Sequence, residues 1–205
     1  MTRPTEAQPL PQTPFKLKGN VYHGTIEFFE ASCPGGYRKL VDSVGDPALA
    51  EFLRQIFVSS AWYEATLLPR LVEAEARVLG LEPNHYLERR SRWQAERDIS
   101  GVYRMLLRLT SPELVATRLP RAMMQIVNFG KATIAEAGPK RYRGQVSGFP
   151  EVLKDWFGTA VRVYAETALA LAGASNPSFR VTSITAEPSH LGHAMCTMHI
   201  EMTWA

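Results

Sequence analysis

Four side chains that can bind a metal ion lie within ten residues near the carboxyl end of the chain, namely His190, His193, Cys196 and His199. Imidazole and thiolate groups are common transition-metal ligands. The last two lie in a run from Ala194 to Trp204 whose even positions are mostly apolar. Alternate residues of a strand point to opposite faces, so Cys196 and His199 do not easily reach one ion. We therefore expect no metal site, and only the pair His190 and His193 stays open.

The second cysteine, Cys33, lies in the turn motif Ala-Ser-Cys-Pro-Gly-Gly. The glycines and the proline predict a turn that exposes the thiol, and a nearby helix end or arginine would lower its pKa. Cys33 is thus the candidate reactive thiol, and a turn cysteine without a reactive role is the alternative. With only two cysteines, the sequence gives no support to a secreted disulfide framework, and a four-cysteine zinc module is impossible.

Motifs of common enzyme classes are absent from the sequence. It contains no Gly-x-Ser-x-Gly elbow, no phosphate-binding Walker loop, no His-Glu-x-x-His helix and no dinucleotide-binding glycine fingerprint. No acid, base or nucleophile is assigned with a partner, so we predict no catalytic residue and no cofactor. A non-enzymatic function is favoured, and an enzyme is the less favoured alternative.

The charge is unevenly distributed along the chain. The whole sequence carries a formal net charge of +3, but residues 88–143 alone carry +7, mostly from arginine. Guanidinium groups suit bidentate contact with phosphate or carboxylate, and Arg141 and Arg143 are the candidate anion contacts. Solvated helix faces with intrachain ion pairs are the alternative. Nucleic acid is not an expected partner, because the block lacks a recognition helix and an aromatic stacking platform.

The elements that would position these residues begin with helices. Asp46-Pro47 predicts a helix start, and the spacing after it predicts an amphipathic helix that ends near Ser59. A second helix follows that ends at Gly80, and further helices reach about Val127. Residues 15–18 alternate like a short edge strand. Four prolines within residues 1–14 predict a disordered tail.

After this helical half, apolar residues recur at the two-residue spacing that is typical of strands. Residues 131–137 and 141–147 predict a hairpin, residues 149–171 a long helix, and residues 179–186 and 194–204 two further strands. The fold class is therefore α+β: a helical N-terminal half followed by β-β-α-β-β, with a four-stranded antiparallel sheet. The length of 205 residues suits one domain over residues 15–205.

Aromatic residues mark a candidate ligand pocket between helices and sheet. Trp62, Tyr63, Trp93 and Trp156 would line an apolar pocket, although such residues are more often core or subunit contacts. Charged residues interrupt every apolar run before the ~18 residues that a membrane span needs. The amino-terminal segment has no apolar core, so we expect a cytoplasmic protein that does not contact membranes.

Two stretches carry a resemblance to known families. Residues 103–114, followed by Leu119-Pro-Arg121 and Phe129-Gly130, resemble a paralogous family of uncharacterised proteins expanded in myxobacteria. The order of helices, hairpin, long helix and hairpin is similar, more remotely, to a ligand-binding superfamily. Its members include haem nitric-oxide sensors, vinyl-4-reductase domains and Golgi transport-particle subunits. The turn and strand at residues 192–196 look like those of the vinyl-4-reductase domains.

The resemblance to haem sensors can be checked at their haem-binding positions. These sensors need a proximal histidine on the helix before the first hairpin, and residues 111–130 contain none. They also hold the haem propionates with a Tyr-x-Ser-x-Arg motif. The matching region, Tyr142-Arg-Gly-Gln-Val146, lacks the serine and the second arginine. We therefore expect no haem.

Two functions from different classes follow. The first is a non-enzymatic sensory or regulatory module that holds a small hydrophobic ligand in an apolar pocket and signals to an unidentified protein partner. The second is a homodimeric structural or regulatory interaction protein without a small-molecule ligand, in which apolar helix stripes such as residues 152–171 meet a second subunit.

Overall fold

The computed structural model describes residues 12–99, 105 and 110–205, and it divides into two compact units, Met1–Tyr86 and Leu87–Ala205. Residues 1–11 of the predicted tail lie outside the described residues. Thr13 is buried, and its backbone N–H and side-chain hydroxyl both donate to the Glu64 carboxylate, at 2.8 and 2.6 Å.

The first unit is mainly helical. Its strands are β1 (Lys16–Lys18) and β2 (Trp62–Glu64), which pair antiparallel. Its helices are α1 (Gly19–Ser32), α2 (Gly36–Ser43), α3 (Pro47–Arg54) and α4 (Leu68–Leu79). Helix α5 (Pro83–Asp98) begins in this unit and continues into the second. The core of the first unit is rich in aromatic rings, and Phe57 packs against Tyr22, Phe52 and Tyr63 with ring centroids 4.8–5.4 Å apart.

Local signals in the sequence explain the helix ends in this unit. The Asp46 carboxylate accepts hydrogen bonds from Ala48 N and Leu49 N, so it caps α3 as predicted. Gly80 ends α4 with a left-handed φ of 67°. The prediction that the helix after Asp46 reaches Ser59 is wrong. Helix α3 ends at Arg54, because the chain then extends so that Phe57 enters the aromatic core.

The second unit contains the predicted sheet. Its elements are α6 (Pro112–Met123), β3 (Lys131–Gly138), β4 (Arg141–Pro150), α7 (Lys154–Leu171), β5 (Ser178–His190) and β6 (His193–Thr203). The strands form one antiparallel sheet in the order β3-β4-β6-β5. The predicted α+β class and four-stranded antiparallel sheet are therefore confirmed.

The two faces of this sheet differ in chemistry. On β6 the even residues from Cys196 to Met202 are buried and the odd ones are partly exposed, as the alternation predicts. Helices α6 and α7 pack on the inner, apolar face, where the Phe149 and Phe157 rings lie 4.6 Å apart. The outer face carries polar side chains such as Gln145, His199 and Glu201.

The outermost strands of the sheet are irregular. Strand β3 has a bulge between Ile134 and Glu136. Strand β5 has register shifts between Val181 and Ser183 and between Glu187 and His190, and it contains Pro188. Bulges, charges and prolines on an edge strand oppose pairing with another strand.

Candidate functional site

The inner face of β4 carries the residues that bear most directly on ligand binding. Tyr142, Gly144 and Val146 alternate along the strand and so share this face. Tyr142 and Val146 are 1% and 3% exposed. Strand pairing places Tyr142 beside Met202 and Val146 beside Met198. An aromatic residue, a glycine and a branched aliphatic residue thus form a row under the helices.

The Tyr142 side chain is turned onto Gly144. A Cβ built at Gly144 would lie 3.1 Å from both the Cε1 and the hydroxyl oxygen of Tyr142, and 2.6 Å from the Thr133 carbonyl oxygen. The phenol therefore fills the space that a larger residue at position 144 would need. The φ of Gly144 is not in the left-handed region, so backbone conformation does not require glycine here. Glycine is required because a side chain at this position would overlap its neighbours.

The Tyr142 hydroxyl is buried and makes no hydrogen bond to any residue that the structure describes. Burial raises the pKa of Tyr142 to about 12. The phenol would be neutral at physiological pH even at the ordinary tyrosine pKa of about 10. An unpaired buried hydroxyl costs roughly 1–3 kcal/mol. This group can donate one hydrogen bond to a molecule that reaches the inner face.

An apolar crevice adjoins the same row. It has a free volume of about 20 Å³, close to that of one water molecule, and it is enclosed by methionine, phenylalanine and aliphatic side chains. These include Met123, Met124, Val146, Phe157, Phe179 and Met202. Methionine side chains are unbranched and adapt readily to new shapes. The crevice is thus closed in this conformation, and its walls are of a kind that can move.

A larger groove lies between α5 and α7 within the second unit. Its volume is about 590 Å³, and it is lined by aliphatic residues including Ile99 and Val163 with Arg92, Glu96 and Glu166 among its polar residues. Glu166 accepts from the Phe179 backbone N–H at 3.2 Å and pairs with Arg162 at 3.5 Å. The groove is open and of mixed polarity, unlike the apolar pocket between helices and sheet that the sequence predicts.

The four predicted pocket residues do not come together within one unit. Trp62 is half exposed on β2, with the Lys18 ammonium 3.9 Å from its ring centre. Tyr63 packs in the aromatic core of the first unit. Trp93 is on α5, with the Arg97 guanidinium over its ring, and Trp156 is buried on α7. Neither the crevice nor the groove is lined by any of the four, and their role in ligand binding stays a prediction.

The predicted anion contacts, Arg141 and Arg143, meet a carboxylate of the chain itself. Arg141 Nη2 and Arg143 Nε lie 2.7 and 2.8 Å from the same Glu201 oxygen on the outer face of the sheet. Arg180 Nη2 approaches the other Glu201 oxygen at 3.4 Å. Three guanidinium groups therefore surround one largely buried carboxylate, and an external anion at these arginines would compete with Glu201.

The candidate thiol and the histidine pair lie apart from this row. Cys33 is 6% exposed, and its Sγ donates to the Pro34 carbonyl at 3.6 Å, so the turn does not expose the thiol. Its reactivity stays a prediction. Cys196 is buried in the sheet, and burial raises the pKa of its thiol. His190 and His193 face each other across the β5–β6 hairpin.

The described residues contain neither a cluster of metal ligands nor a membrane-spanning helix. No group of three or more histidine, cysteine, aspartate or glutamate side chains is arranged to hold a metal ion within residues 12–99, 105 and 110–205. Within the same ranges, no helix is long and apolar enough to cross a membrane.

Solved structures of H-NOX domains share this fold. The H-NOX protein from K. algicida matches with a TM-score of 0.58 and 11% identity, over 92% of this chain and 97% of its own. An oxygen-binding H-NOX domain related to soluble guanylate cyclases matches with a TM-score of 0.60 and 9% identity, over 92% and 95%. The H-NOX from Shewanella woodyi matches with a TM-score of 0.58 and 14% identity, over 91% and 94%.

These matches show an H-NOX-like fold, in agreement with the remote resemblance to the nitric-oxide-sensor superfamily. No family model matches the sequence, and no curated protein matches it. The resemblance to a myxobacterial family stays a prediction. Sequence reasoning compared Tyr142 with a haem-sensor motif but missed its packing on Gly144. The alternation of side chains along β4 places residues 142, 144 and 146 on one face, and this pattern could have indicated the contact.

Proposed function

We propose that this protein is a non-enzymatic sensory or regulatory module that binds a small, mostly apolar molecule and does not bind haem in the manner of H-NOX domains. The H-NOX-like fold supports the first part of the proposal. The residues at the haem-binding positions support the second part.

Those positions do not suit haem. Helix α6 precedes the first hairpin of the sheet and contains no histidine to bind the iron. In the Tyr-x-Ser-x-Arg motif of the haem sensors, the three named residues share one face of a strand. Gly144 and Val146 stand at the serine and second arginine positions, so only the tyrosine remains to bind a propionate. A serine at position 144 would also collide with Thr133 and Tyr142.

The observation that carries the proposal is the buried, unpartnered hydroxyl of Tyr142 on an apolar face. A ligand with one hydrogen-bond acceptor, such as a carbonyl or ether oxygen, and an apolar body would satisfy this donor and bury its remaining surface. The closed crevice of about 20 Å³ has no room for such a molecule. Binding therefore requires the methionine side chains at the end of α6 to move aside, and that displacement would be the signal to a protein partner.

Native mass spectrometry of the protein purified from cell extract tests the proposal. We expect a retained small molecule on the wild type and its loss from Tyr142→Phe, which keeps the ring and removes the donor. Tyr164→Phe is the matched control, because that phenol donates to Asp98 and lies outside the proposed site. A wild type that is always ligand-free, or two variants with equal retention, would contradict the proposal.

Titration with haem tests the second part separately. We expect no stoichiometric Soret band, since neither the iron ligand nor the complete propionate motif is present. A one-to-one band would overturn the haem-free assignment without bearing on other ligands.

The alternative function is a homodimeric interaction protein without a small-molecule ligand. The apolar residues of α7 do not favour it, because Trp156, Phe157 and Val161 are buried within the chain. A cytoplasmic location and an unidentified protein partner also remain proposals.

A further inference from the structure

The groove between α5 and α7 combines an aliphatic floor with a charged rim. The floor includes Ile99 and Val163, which are 8% and 2% exposed. The rim consists of Arg92 and Glu96 on α5 and Glu166 on α7. The groove volume of about 590 Å³ lies within the range of roughly 300–1,000 Å³ that is typical of small-molecule sites.

Helical periodicity brings these side chains to the groove. Residues 92, 96 and 99 recur at four- and three-residue spacing, so they share one face of α5 and its end. Residues 163, 166, 167, 170 and 171 form the corresponding face of α7. Each helix therefore supplies both an apolar and a charged part of the wall.

Two side-chain bonds join α5 to α7 beside the groove. The Tyr164 hydroxyl donates to the Asp98 carboxylate, and Arg162 Nη2 donates to Glu88 Oε1 at 2.7 Å. None of these four residues lines the groove. The distance between the two helices is thus set by bonds that a ligand would not need to replace. A site formed before binding loses little conformational entropy when a ligand enters.

The charges of the rim differ in how far the chain already uses them. Arg92 and Glu96 are exposed, and neither forms an ion pair with any residue within the described ranges. Glu166 Oε1 accepts from the Phe179 N–H at 3.2 Å, and its Oε2 lies 3.5 Å from Arg162 Nη1. A carboxylate has about four acceptor sites, so Glu166 retains some for a ligand. One guanidinium and two carboxylates are therefore available at the rim.

This set of charges selects among ligand classes. A ligand with only a carboxylate would pair with Arg92 but would be repelled by Glu96 and Glu166, and a ligand with only an ammonium group would be repelled by Arg92. A molecule that carries both groups avoids either repulsion. The aliphatic floor favours an apolar body on the same molecule.

We propose that this groove binds an amino acid with an aliphatic side chain. Its ammonium group would lie between Glu96 and Glu166, its carboxylate on Arg92, and its side chain on the floor. The rim is open to solvent, which weakens ion pairs, so we expect a dissociation constant of roughly 0.1–1 mM. This site is separate from the inner face of the sheet and does not depend on the Tyr142 hydroxyl.

Calorimetric titration of the full chain with three probes at low ionic strength tests the ligand class. The probes are leucine, leucinamide, which lacks the carboxylate, and N-acetylleucine, which lacks the ammonium group. We expect leucine to bind at least about threefold more tightly than either analogue. The proposal would be overturned by leucine that does not bind at about 10 mM, or by analogues that bind as tightly as leucine.

Variants of the rim test which residue meets which group. Arg92→Gln should weaken leucine binding but leave leucinamide unchanged, and Glu96→Gln should weaken leucine but leave N-acetylleucine unchanged. Both residues are exposed, so neither variant should impair folding. Arg77→Gln and Glu73→Gln, on the exposed side of α4, are the matched controls and should bind all three probes as the wild type does. Equal weakening by the controls would contradict a site in the groove.

Two further variants locate the site. Ala170 is an exposed residue that lines the groove, and Ala170→Trp should abolish leucine binding by filling the space, with the melting temperature as the check on folding. Tyr142→Phe should bind leucine as the wild type does, so this proposal and the proposed function can fail independently. Leucine binding that survives in Ala170→Trp, or is lost in Tyr142→Phe, would overturn the assignment to the groove.

Discussion

The Tyr142 hydroxyl lies 3.1 Å from the point where a Cβ of residue 144 would stand, so the phenol occupies the place of a side chain that Gly144 lacks. This relationship joins the two observations on which the proposed function rests. A tyrosine stands where the haem-sensor motif has one, and glycine stands at the serine position on the same face.

Substitution at Gly144 should destabilise the sheet. Gly144→Ser puts atoms within 2.6 Å of the Thr133 carbonyl and against the Tyr142 ring, so we expect a loss of about 1–3 kcal/mol in the free energy of unfolding. Denaturant titration measures it. Gly158→Ala, inside α7, is the control. The Cβ of an alanine there would make an ordinary contact of 3.7 Å with Val181 of β5. Gly158→Ala should raise the free energy of unfolding by about 0.5–1 kcal/mol, because alanine favours a helix more than glycine does. An equal loss of stability in both variants would refute the packing explanation.

Tyr142 should make the protein sensitive to alkali. The pKa of Tyr142 is about 12 in the folded chain, above the value of about 10 in an unfolded chain. The folded state therefore favours the protonated phenol, and this stabilisation is complete below pH 10 and declines as the pH rises towards 12. Tyr142→Phe should remove this part of the decline, measured as unfolding free energy against pH. An unchanged alkaline profile would show that the phenol titrates normally.

Glu64 should contribute stability that is lost in acid. Burial alone raises the pKa of Glu64, but hydrogen bonds from Thr13, Lys16 and Thr66 outweigh it and hold the pKa below its ordinary value. The stabilisation is present above the unfolded pKa of about 4.3 and is lost as the pH falls through the folded pKa. Glu64→Gln should cost about 1–3 kcal/mol near neutral pH and progressively less in acid.

The control for Glu64 is Glu73→Gln on the exposed side of α4, which should change the free energy of unfolding by less than about 0.5 kcal/mol. Chemical denaturation at several pH values measures both variants. If Glu64→Gln lowers the free energy of unfolding by the same amount from neutral pH down to strong acid, the carboxylate charge of Glu64 does not contribute to stability.

Glu201 should control whether the neighbouring arginines bind external anions. Glu201→Gln leaves Arg141, Arg143 and Arg180 close together without their shared carboxylate, and we expect a loss of about 1–2 kcal/mol at low salt. Sulfate should then raise the melting temperature of the variant more than that of the wild type, at matched ionic strength. An equal response of both proteins would remove the support for an anion contact at Arg141 and Arg143.

The sequence predicted the elements whose signals are local. The Asp46 cap, the Gly80 stop and the alternation along β6 each involve a few neighbouring residues. Strand β2 was missed, because its three residues become a strand only by pairing with residues 16–18, far away along the chain. Helix α6 continues through Pro120 to Met123, although a proline inside a helix removes one backbone hydrogen bond.

The candidate site was less predictable for a similar reason. The convergence of Arg143 and Arg180 on Glu201 requires the register of three strands, which periodicity does not specify. The direction of the Tyr142 ring depends on the absence of a side chain at Gly144 and on packing from α6 and α7. Exposed aromatics such as Trp62 resemble pocket residues by type, and only the structure distinguishes a surface from a pocket.

The irregular outer strands limit how copies of this chain can assemble. A smooth edge would accept a further strand, and each added copy would offer a new edge, so growth would have no end. The bulges in β3 and β5 and the proline at position 188 oppose that route. The two edges of this sheet therefore give copies of the chain no route for adding to one another without limit.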